Sequence, residues 1–377
     1  MQVEHILTQL VAIDSTSSRP NAEIIRFAAE RVEAFGMRVR LFPYADERGV
    51  EKAQLVAYSP QESEDLELVL VGHTDAVPFD PAWDAALRLE ERGGNLYGRG
   101  ACDTKGFIAA ALAALAAVDL AALRRPLALV LTADEEVGCL GAKRLAAERP
   151  FRARHAVVGE PTSLRPMRAG KGYCLAEVSV RGREAHSAYP HLGASAITRA
   201  ARLITRVERV AEELARDAHE AFDPPHTTVN VGVVRGGTAK NVVAGECRFT
   251  LEWRPVPGQR PELVAELVGR EIEALRAADP DFDAALEVTR LDGGMETPAD
   301  APLVSALEEL TGRGAGTISF GTEAPQMAEL GAQAVVFGPG DIRVAHRTGE
   351  FVPRAELRAA ASILRGVIER FCAPEHQ

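Results

Sequence analysis

A histidine and an aspartate, two residues apart, follow a strand-like run early in this sequence. In the segment 66–78, LELVLVGHTDAVP, the continuous apolar run 68–71 ends at Gly72, and His73 and Asp75 come directly after it. A continuous apolar run is typical of a buried parallel strand, and open α/β sheets bind ligands beyond the carboxyl ends of such strands. A histidine beside a carboxylate suits a metal ligand and the partner that fixes its tautomer. For this pair alone, a hydrogen-bonded turn without a metal is the alternative.

Acidic residues or a histidine also follow the other continuous apolar runs. These are Asp103 in the loop RGACDTKG, Asp134, Glu135 and Glu136 after the run 127–132, Glu160 after the run 156–158, and His346, which GPGDIRVAH connects to the run 333–337. Adjacent carboxylates repel one another unless a cation or protons offset their charge. Histidines with carboxylates form the ligand set of zinc, cobalt or manganese. Because a single catalytic zinc needs three protein ligands, this larger set favours two ions bridged by a carboxylate.

Two adjacent glutamates, Glu135 and Glu136, can divide the work of a metal-assisted hydrolysis. Glu136 can bind a metal while Glu135 takes a proton from the attacking water. A divalent cation lowers the pKa of its bound water toward ~7, so a glutamate can accept that proton at neutral pH. The sequence therefore predicts a metallohydrolase.

Strand and helix patterns divide the chain into two domains. Continuous apolar strands alternate with helices in residues 1–172 and return in residues 289–377, which predicts a doubly wound, mostly parallel α/β sheet. Between them, in residues 173–288, the strands alternate in polarity and two long helices occupy 194–216 and 261–278. Alternating strands with one face covered by helices are typical of an antiparallel sheet. We therefore predict a discontinuous catalytic domain and an inserted α+β lid domain.

Composition limits the partners and the compartment. The net charge of −11 and the absence of a basic stripe argue against a nucleic-acid partner. No apolar run approaches the ~20 residues that span a membrane. The five cysteines are scattered without a C-x-x-C pair, and the N-terminus resembles no signal peptide. We therefore expect reduced thiols and a cytoplasmic protein that acts on a small molecule.

Several motifs, in their order along the chain, resemble the M20 family of di-zinc amidohydrolases. They are GHTDAVP (72–78), GRGACDTKG (98–106), TADEEVG (132–138), VGEPTS (158–163) and GPGDIRVAH (338–346). The phrases FGTEAPQ (320–326) and RPVPG (254–258) bring the resemblance closest to members that deacetylate N-acetyl-L-ornithine in arginine biosynthesis. The resemblance implies two Zn²⁺ ions, for which Co²⁺ or Mn²⁺ can substitute, and release of acetate and L-ornithine. It also implies a homodimer formed through the inserted domain.

The resemblance further implies roles for individual residues. Asp103 would bridge the metals, one of which His73 and Glu160 would bind, and the other Glu136 and His346. Glu135 would be the general base, and Asp75 would orient His73. In the inserted domain, His186 matches the family's lid histidine, which reaches the active site of the partner subunit and stabilises the oxyanion. Asn241 matches the family's lid asparagine.

The charged ends of the substrate need partners of opposite charge. Arg254 or Arg343 is a candidate for the α-carboxylate, and Glu323 is a candidate for the distal ammonium of ornithine. Two departures from the family pattern bear on the substrate: RTGEF contains Glu350 where relatives have a Pro-Asp/Asn-Glu phrase, and Gln326 replaces an aromatic residue. N-acetylcitrulline, N-acetylmethionine and N-succinyl-diaminopimelate are alternative substrates. A dipeptidase and a non-catalytic dimeric binding protein are the alternative functions.

Overall fold

The computed structural model describes residues 2–61 and 63–373 and divides into two units. The first unit contains Met1–Arg168, Thr297–Gly316 and Thr322–Gln377, and the second contains Ala169–Glu296 and Thr317–Gly321. The sequence-based prediction placed the insertion at 173–288. The second unit extends further because its last long strand continues to Asp292.

Helices occupy both units. In chain order they are α1 (Val3–Ala12), α2 (Ala22–Ala34), α3 (Lys105–Ala116), α4 (Leu140–Glu148), α5 (Ala196–Leu214), α6 (Leu263–Ala278), α7 (Pro302–Thr311), α8 (Ala324–Glu329) and α9 (Arg354–Cys372). Short 3₁₀ turns lie at Leu120–Ala122, Pro190–Leu192 and Ile342–Val344. The long helices that the sequence pattern predicted therefore agree with the structure to within a few residues at each end.

Strands form sheets in both units. In chain order they are β1 (Arg38–Ala45), β2 (Glu51–Tyr58), β3 (Asp65–His73), β4 (Glu90–Arg92), β5 (Asn95–Tyr97), β6 (Leu127–Thr132), β7 (Arg152–Gly159), β8 (Met167–Gly170), β9 (Tyr173–Arg181), β10 (Thr228–Gly236), β11 (Glu246–Arg254), β12 (Asp283–Asp292), β13 (Met295–Glu296), β14 (Gly316–Ile318), β15 (Gln333–Phe337) and β16 (Phe351–Pro353). The short strands β4, β5 and β16 form a small sheet that the sequence pattern did not predict.

The main sheet of the first unit has a parallel centre. Its order is β1-β2-β6-β3-β7-β15, in which β6, β3, β7 and β15 are parallel, whereas β1 and β2 are antiparallel additions. All six residues of β6 are buried, as expected for a central strand that is covered on both faces. The predicted α/β fold class is confirmed.

The register of the parallel strands brings their carboxyl ends to one edge. His73, the last residue of β3, pairs with Thr132, the last residue of β6. Gly159 and Phe337 are likewise paired at the ends of β7 and β15. The residues that follow these strands therefore emerge side by side, as the sequence pattern predicted.

The second unit is an antiparallel sheet with helices. Its strand order is β10-β11-β9-β12, and the two long helices α5 and α6 share a core with the sheet. Along β11 every second residue is buried, and this alternation identified the strand in the sequence. The antiparallel α+β insertion is therefore confirmed as a fold.

No helix in residues 2–61 or 63–373 is both long and apolar enough to cross a membrane.

Candidate metal centre

Two sets of potential metal ligands in the first unit share one carboxylate. The first set is His73, Asp103 and Glu160, and the second is Asp103, Glu136 and His346; the ligand atoms within each set lie within 4.8 Å of one another. His73 Nε2 lies 3.1 Å from Asp103 Oδ1, and His346 Nε2 lies 3.0 Å from Asp103 Oδ2. Because Asp103 presents a different oxygen to each set, it has the geometry of a bridging carboxylate.

Glu350, near the end of the chain, holds the loop that carries Asp103 in place. Glu350 Oε1 accepts hydrogen bonds from the backbone N–H groups of Cys102 and Asp103, at 2.9 and 3.0 Å. Its Oε2 accepts from the backbone N–H of Gly100 at 3.1 Å and from Arg99 Nη1 at 2.6 Å. Glu350 is buried, so one carboxylate organises this turn away from water. The sequence analysis related Glu350 to a glutamate of the family pattern but did not predict this role.

Asp75 connects the strand that carries His73 to the segment that carries the two glutamates. Its carboxylate accepts hydrogen bonds from the backbone N–H groups of Glu135 and Glu136, at 3.1 and 3.3 Å, and from the Ser17 hydroxyl at 2.8 Å. The nearest atom of Asp75 to the His73 ring is the backbone oxygen, 3.0 Å from Nδ1, whereas the carboxylate lies 3.6 Å away. Asp75 therefore orients His73 mainly through its carbonyl, while its side chain fixes the glutamates.

A second network holds the residue before these glutamates. Asp134 has a left-handed backbone with φ of 59° and is buried. Lys52 Nζ lies 2.9 Å from its Oδ1, and the Tyr44 hydroxyl donates to its Oδ2 at 2.6 Å. The buried ion pair fixes the turn after β6 and so the direction in which Glu135 and Glu136 leave the strand.

Glu135 is partly buried and touches a thiol. The Cys139 Sγ lies 3.3 Å from Glu135 Oε1, within hydrogen-bonding distance for sulfur. Burial, together with the charges of Glu136, Glu323 and Asp103, raises the pKa of Glu135 to about 8. A carboxyl group with a raised pKa is suited to accept and return a proton near neutral pH.

The electrostatics of the two ligand sets fit divalent cations. Burial and neighbouring carboxylates raise the pKa of Glu160 well above its ordinary value, and burial raises that of Glu136. Asp103 and Glu136 raise the pKa of His346 to about 10. Burial alone would lower the pKa of His73, but Asp103 and Asp75 outweigh it and raise the value. In the absence of metal, the two imidazoles and the carboxylates around them share protons. Such a set of imidazole nitrogens and carboxylate oxygens suits a borderline divalent metal.

Glu323 lies within the first unit at the N-terminus of α8. It is buried, and its Oε1 has no hydrogen-bond partner in the parts of the chain described, 2–61 and 63–373. Burial raises its pKa to about 7, although His73 and Thr132 act in the opposite direction. Gln326 on the same helix is also buried, and its Oε1 likewise lacks a partner among those residues.

The remaining candidates lie in different surroundings. Arg343 of the first unit is exposed and paired with Asp341. In the second unit, Arg254 stacks on the Tyr173 ring, with its guanidinium carbon 4.4 Å from the ring centroid, and its Nη1 donates to the Ser319 carbonyl. The structure therefore leaves Arg254 and Arg343 without a contact that distinguishes a substrate role.

His186 and Asn241 lie next to each other in the second unit, and both are exposed. The Ser187 N–H donates to the Asn241 carbonyl at 3.0 Å, and His186 forms a β-bridge with Val242. The Ala188 N–H donates to His186 Nδ1 at 3.1 Å. Because Nδ1 is an acceptor here, the neutral ring carries its proton on Nε2, which is free to donate to another group.

Known proteins resemble this chain over nearly its whole length. Acetylornithine deacetylase of Myxococcus xanthus is 55% identical over 368 residues, which cover 97% of this chain and 96% of that protein. Acetylornithine deacetylase of Proteus mirabilis is 34% identical over 97% of this chain and 94% of its own. The curated relatives thus span both units, including the inserted one.

Solved structures share the fold at low sequence identity. A tripeptidase from Staphylococcus aureus superposes with a TM-score of 0.80 at 24% identity and 98% coverage of both chains. An M20 family metallo-carboxypeptidase from Sulfolobus solfataricus gives a TM-score of 0.78 at 18% identity, over 98% of this chain and 99% of its own. The model of peptidase family M20/M25/M40 matches residues 69–370, which include all the ligand candidates. This chain therefore belongs to peptidase family M20/M25/M40, a family of metal-dependent hydrolases.

Proposed function

We propose that this protein hydrolyses the acetamide of N-acetyl-L-ornithine and releases acetate and L-ornithine. The observation that carries the proposal is the 55% identity to an acetylornithine deacetylase over 97% of the chain. The two ligand sets that share Asp103 support it, because a hydrolase of this family needs them intact. This reaction would place the protein in arginine biosynthesis.

Two divalent cations, Zn²⁺ or in its place Co²⁺ or Mn²⁺, would be held by the two ligand sets. His73, Asp103 and Glu160 would hold one, and Asp103, Glu136 and His346 the other. When bound, such ions polarise an amide carbonyl and make water acidic enough to be deprotonated near neutral pH. The ligand residues would fix the positions of these ions, and because His73, Asp103 and Glu160 are buried, bulk water has little access to that side of the site.

Glu135 would take a proton from the attacking water and return it to the leaving α-amine. In the metal-free protein, burial and neighbouring carboxylates raise its pKa to about 8. Bound cations would lower this pKa toward neutrality, where a carboxylate can both accept and return a proton. Asp75 holds the backbone of Glu135, and Cys139 contacts its carboxylate, so the base is oriented before the substrate arrives. These two contacts, one from Asp75 and one from Cys139, therefore restrict where Glu135 can deliver the proton.

His186 would donate a hydrogen bond to the oxyanion of the tetrahedral intermediate. Its Nε2 is the protonated nitrogen when Nδ1 accepts from Ala188, which gives the ring the donor that an oxyanion needs. Asn241 lies beside it and would assist in binding. Following the family pattern, we assign these residues to a lid that serves the partner subunit of a homodimer in the cytoplasm.

The charged ends of the substrate would be bound separately. Arg254 or Arg343 would bind the α-carboxylate, because a guanidinium matches a carboxylate bidentately. Glu323 would bind the distal ammonium, because it is a buried carboxyl group that lacks a partner on Oε1 among the described residues. A buried, unpaired carboxylate is costly, and an ammonium would remove that cost.

A deacylation screen of the metal-reconstituted protein tests the proposal. N-acetyl-L-ornithine, N-acetyl-L-citrulline, N-acetyl-L-methionine and N-succinyl-diaminopimelate are compared by kcat/KM, with dipeptides as a further arm. We expect the highest kcat/KM for N-acetyl-L-ornithine, loss of activity with a chelator, and loss of kcat in Glu135→Gln with its metal content retained.

The matched control is Glu90→Gln, which changes a half-buried carboxylate that pairs with Arg88 outside the site. It should leave kcat unchanged. A preference for a dipeptide or for another acyl amino acid would replace the proposed substrate. Absence of hydrolysis of all these compounds by metal-loaded protein would favour a binding protein.

A further inference from the structure

The segment 13–21, which connects α1 to α2 in the first unit, contains none of the metal-ligand candidates but lies against the turn that follows His73. Four of its polar residues are nevertheless buried, namely Ser15, Thr16, Ser17 and Asn21. Connecting segments normally run over the protein surface, and buried polar groups require hydrogen-bond partners. The partners of this segment therefore indicate what its burial serves.

Backbone pairing fixes the segment against the turn after β3. Thr16 forms a parallel β-bridge with Ala76. The Ala76 N–H donates to the Ser15 carbonyl, and the Ser17 N–H donates to the Ala76 carbonyl, each at 3.1 Å. The position of Ser17 relative to the turn that carries His73 is therefore set by backbone hydrogen bonds on both sides of Thr16.

Ser17 uses its remaining polar groups to bind two charged side chains. Its hydroxyl lies 2.8 Å from Asp75 Oδ2, closer than the alternative acceptor, the Ala76 carbonyl, at 3.4 Å. Its carbonyl accepts a hydrogen bond from Lys52 Nζ at 2.8 Å. Ser17, Asp75 and Lys52 are all buried. The N–H, the carbonyl and the hydroxyl of Ser17 are therefore all engaged away from water.

Both charged partners of Ser17 hold the backbone at Glu135. Asp75 accepts the Glu135 backbone N–H through Oδ1, at 3.1 Å. Lys52 Nζ lies 2.9 Å from Oδ1 of Asp134, the residue that directly precedes Glu135. Two chains of contacts therefore run from Ser17 to the same residue, one through its hydroxyl and one through its carbonyl.

We propose that Ser17 is a positioning residue for Glu135. Its hydroxyl fixes the carboxylate of Asp75, its carbonyl fixes the ammonium of Lys52, and these two groups hold the backbone from which the Glu135 side chain extends. A general base works only when it is held close to its productive geometry. The effect on catalysis rests on the proposed function, in which Glu135 is the general base, whereas the effect on the backbone does not.

Hydrogen exchange at the Glu135 and Glu136 backbone amides of the metal-loaded, full-length protein tests the positioning without a substrate. Both amides donate to Asp75. Ser17→Ala removes the hydroxyl that fixes this carboxylate and keeps the carbonyl. We expect exchange at the two amides to become about tenfold faster, because a hydrogen bond to a charged group has at least that effect on an equilibrium. The amides of β6 report any change in global stability, and the increase at the two glutamates should exceed theirs.

Steady-state kinetics with N-acetyl-L-ornithine connects this positioning to catalysis. Ser17→Ala should lower kcat about tenfold, by the same hydrogen-bond argument, with KM and metal content unchanged. Ser17→Thr keeps a hydroxyl and should restore most of kcat. A merely structural role would reduce the amount of folded protein and leave kcat per metal-loaded molecule unchanged.

A second variant tests the contact made by the Ser17 carbonyl. Lys52→Met/Asp134→Asn removes both charges of the buried ion pair, so neither charge is left unpaired in the core. It should lower kcat about 3–10-fold with KM unchanged, since it removes a hydrogen bond that acts on Glu135 through one further residue. An unchanged kcat in this double variant would overturn the role of the carbonyl.

Ser15→Ala is the matched control for Ser17→Ala. Ser15 is buried in the same segment, but its hydroxyl has no hydrogen-bond partner in residues 2–61 and 63–373. This variant should leave both exchange and kcat unchanged. The proposal is overturned if Ser17→Ala and Ser15→Ala give equal exchange at Glu135 and Glu136, or if exchange becomes faster while kcat stays the same. If the unmodified protein does not hydrolyse the substrate, the proposed function fails, and the exchange comparison still decides whether Ser17 holds this backbone.

Discussion

The carboxylate of Glu350 accepts a hydrogen bond from the backbone N–H of Asp103 at 3.0 Å, across 247 positions of sequence. The same carboxylate also satisfies Arg99 and two further backbone N–H groups of that loop. The orientation of the shared ligand candidate Asp103 therefore depends on a residue near the end of the chain. A buried carboxylate with this many donors is fixed in position, because breaking any contact leaves a buried polar group unpaired.

Replacement of Glu350 by glutamine tests this dependence. An amide has one acceptor oxygen, so some of the four donors lose their partner and the buried Arg99 guanidinium loses its counter-charge. We expect the free energy of unfolding to fall by about 3–5 kcal/mol, the usual cost of breaking a buried ion pair. We also expect metal to be lost more rapidly to a chelator. Urea unfolding and chelator competition measure the two effects.

Glu91→Gln is the control for Glu350→Gln. Glu91 pairs with Arg354 on the surface, with 46% of its side chain exposed, so its loss should cost less than about 1 kcal/mol. Equal metal retention in the Glu350→Gln variant and the control would show that Glu350 stabilises the fold without positioning Asp103.

The contact between Cys139 and Glu135 predicts a positioning role for the thiol. Cys139 begins α4 with a left-handed backbone, φ of 54°, which directs its Sγ to 3.3 Å from Glu135 Oε1. We expect Cys139→Ala to lower kcat about 3–10-fold with KM unchanged, since a hydrogen bond contributes about 1 kcal/mol. Cys139→Ser keeps a donor and should restore most of kcat. Steady-state kinetics on the preferred substrate measures both.

A buried cysteine elsewhere provides the comparison for Cys139. Cys372 lies in the core at the end of α9, so Cys372→Ala removes a thiol without touching Glu135. It should leave kcat unchanged. If Cys139→Ala behaves like Cys372→Ala, or changes KM alone, the thiol has no part in orienting the base.

Sequence reasoning found the strands that are continuous and apolar or regularly alternating, and missed the short strands and the mostly exposed strand β12. The predicted bounds of β6 and β15 agree residue for residue with the structure, because polar residues or glycine end these buried runs abruptly. In β12 most side chains are exposed, so its sequence has no regular alternation, and it was not identified as a strand. The three-residue strands β4 and β5 are too short to show an alternation of polar and apolar residues in the sequence.

The metal-ligand candidates were predictable for the same reason that the strands were. Each one follows a buried parallel strand or its loop, and parallel strands bring such residues to one edge. The contacts of Glu350 and Cys139 were not predictable, because they depend on tertiary pairing and on one left-handed residue. Asp75 was predicted beside His73, but the hold of its carboxylate on the backbone of Glu135 and Glu136 depends on how two strands are aligned.

The metal-free protein should lose stability as pH rises from about 6 to about 8. In the folded metal-free state the pKa of Glu135 is raised from 4.5 to about 8, and that of His346 from 6.5 to about 10. A raised pKa means that the folded state retains a proton which the unfolded state has released, so stability falls as pH rises through this interval. Urea unfolding in chelator, at both pH values, gives the change in unfolding free energy.

The metal-loaded protein is the comparison for this pH dependence. Cations replace the shared protons, and their binding releases protons, so stability should be level or should rise over the same interval. Lys105 acts in the opposite direction, but only above about pH 8, where its lowered pKa lies. A metal-free protein that keeps its stability from about pH 6 to about pH 8 would contradict the charge arrangement described for this site.

Two explanations are open for the buried, partly unpaired carboxyl group of Glu323, and a substitution of this residue separates them. If it binds the distal ammonium of ornithine, Glu323→Gln should lower kcat/KM for N-acetyl-L-ornithine about 30- to 100-fold, a loss of about 2–3 kcal/mol for a buried charge pair. N-acetyl-L-citrulline has a similar length and a neutral end, so its kcat/KM should be unchanged or higher. If Glu323 instead supports the metal centre, whose residues His73 and Asp75 influence its pKa, both substrates should be affected equally and metal content should fall. The ratio of the two kcat/KM values, measured together with metal content, separates these two roles of Glu323. Only a residue that binds the distal end of the substrate distinguishes an ammonium from a urea group at the same position.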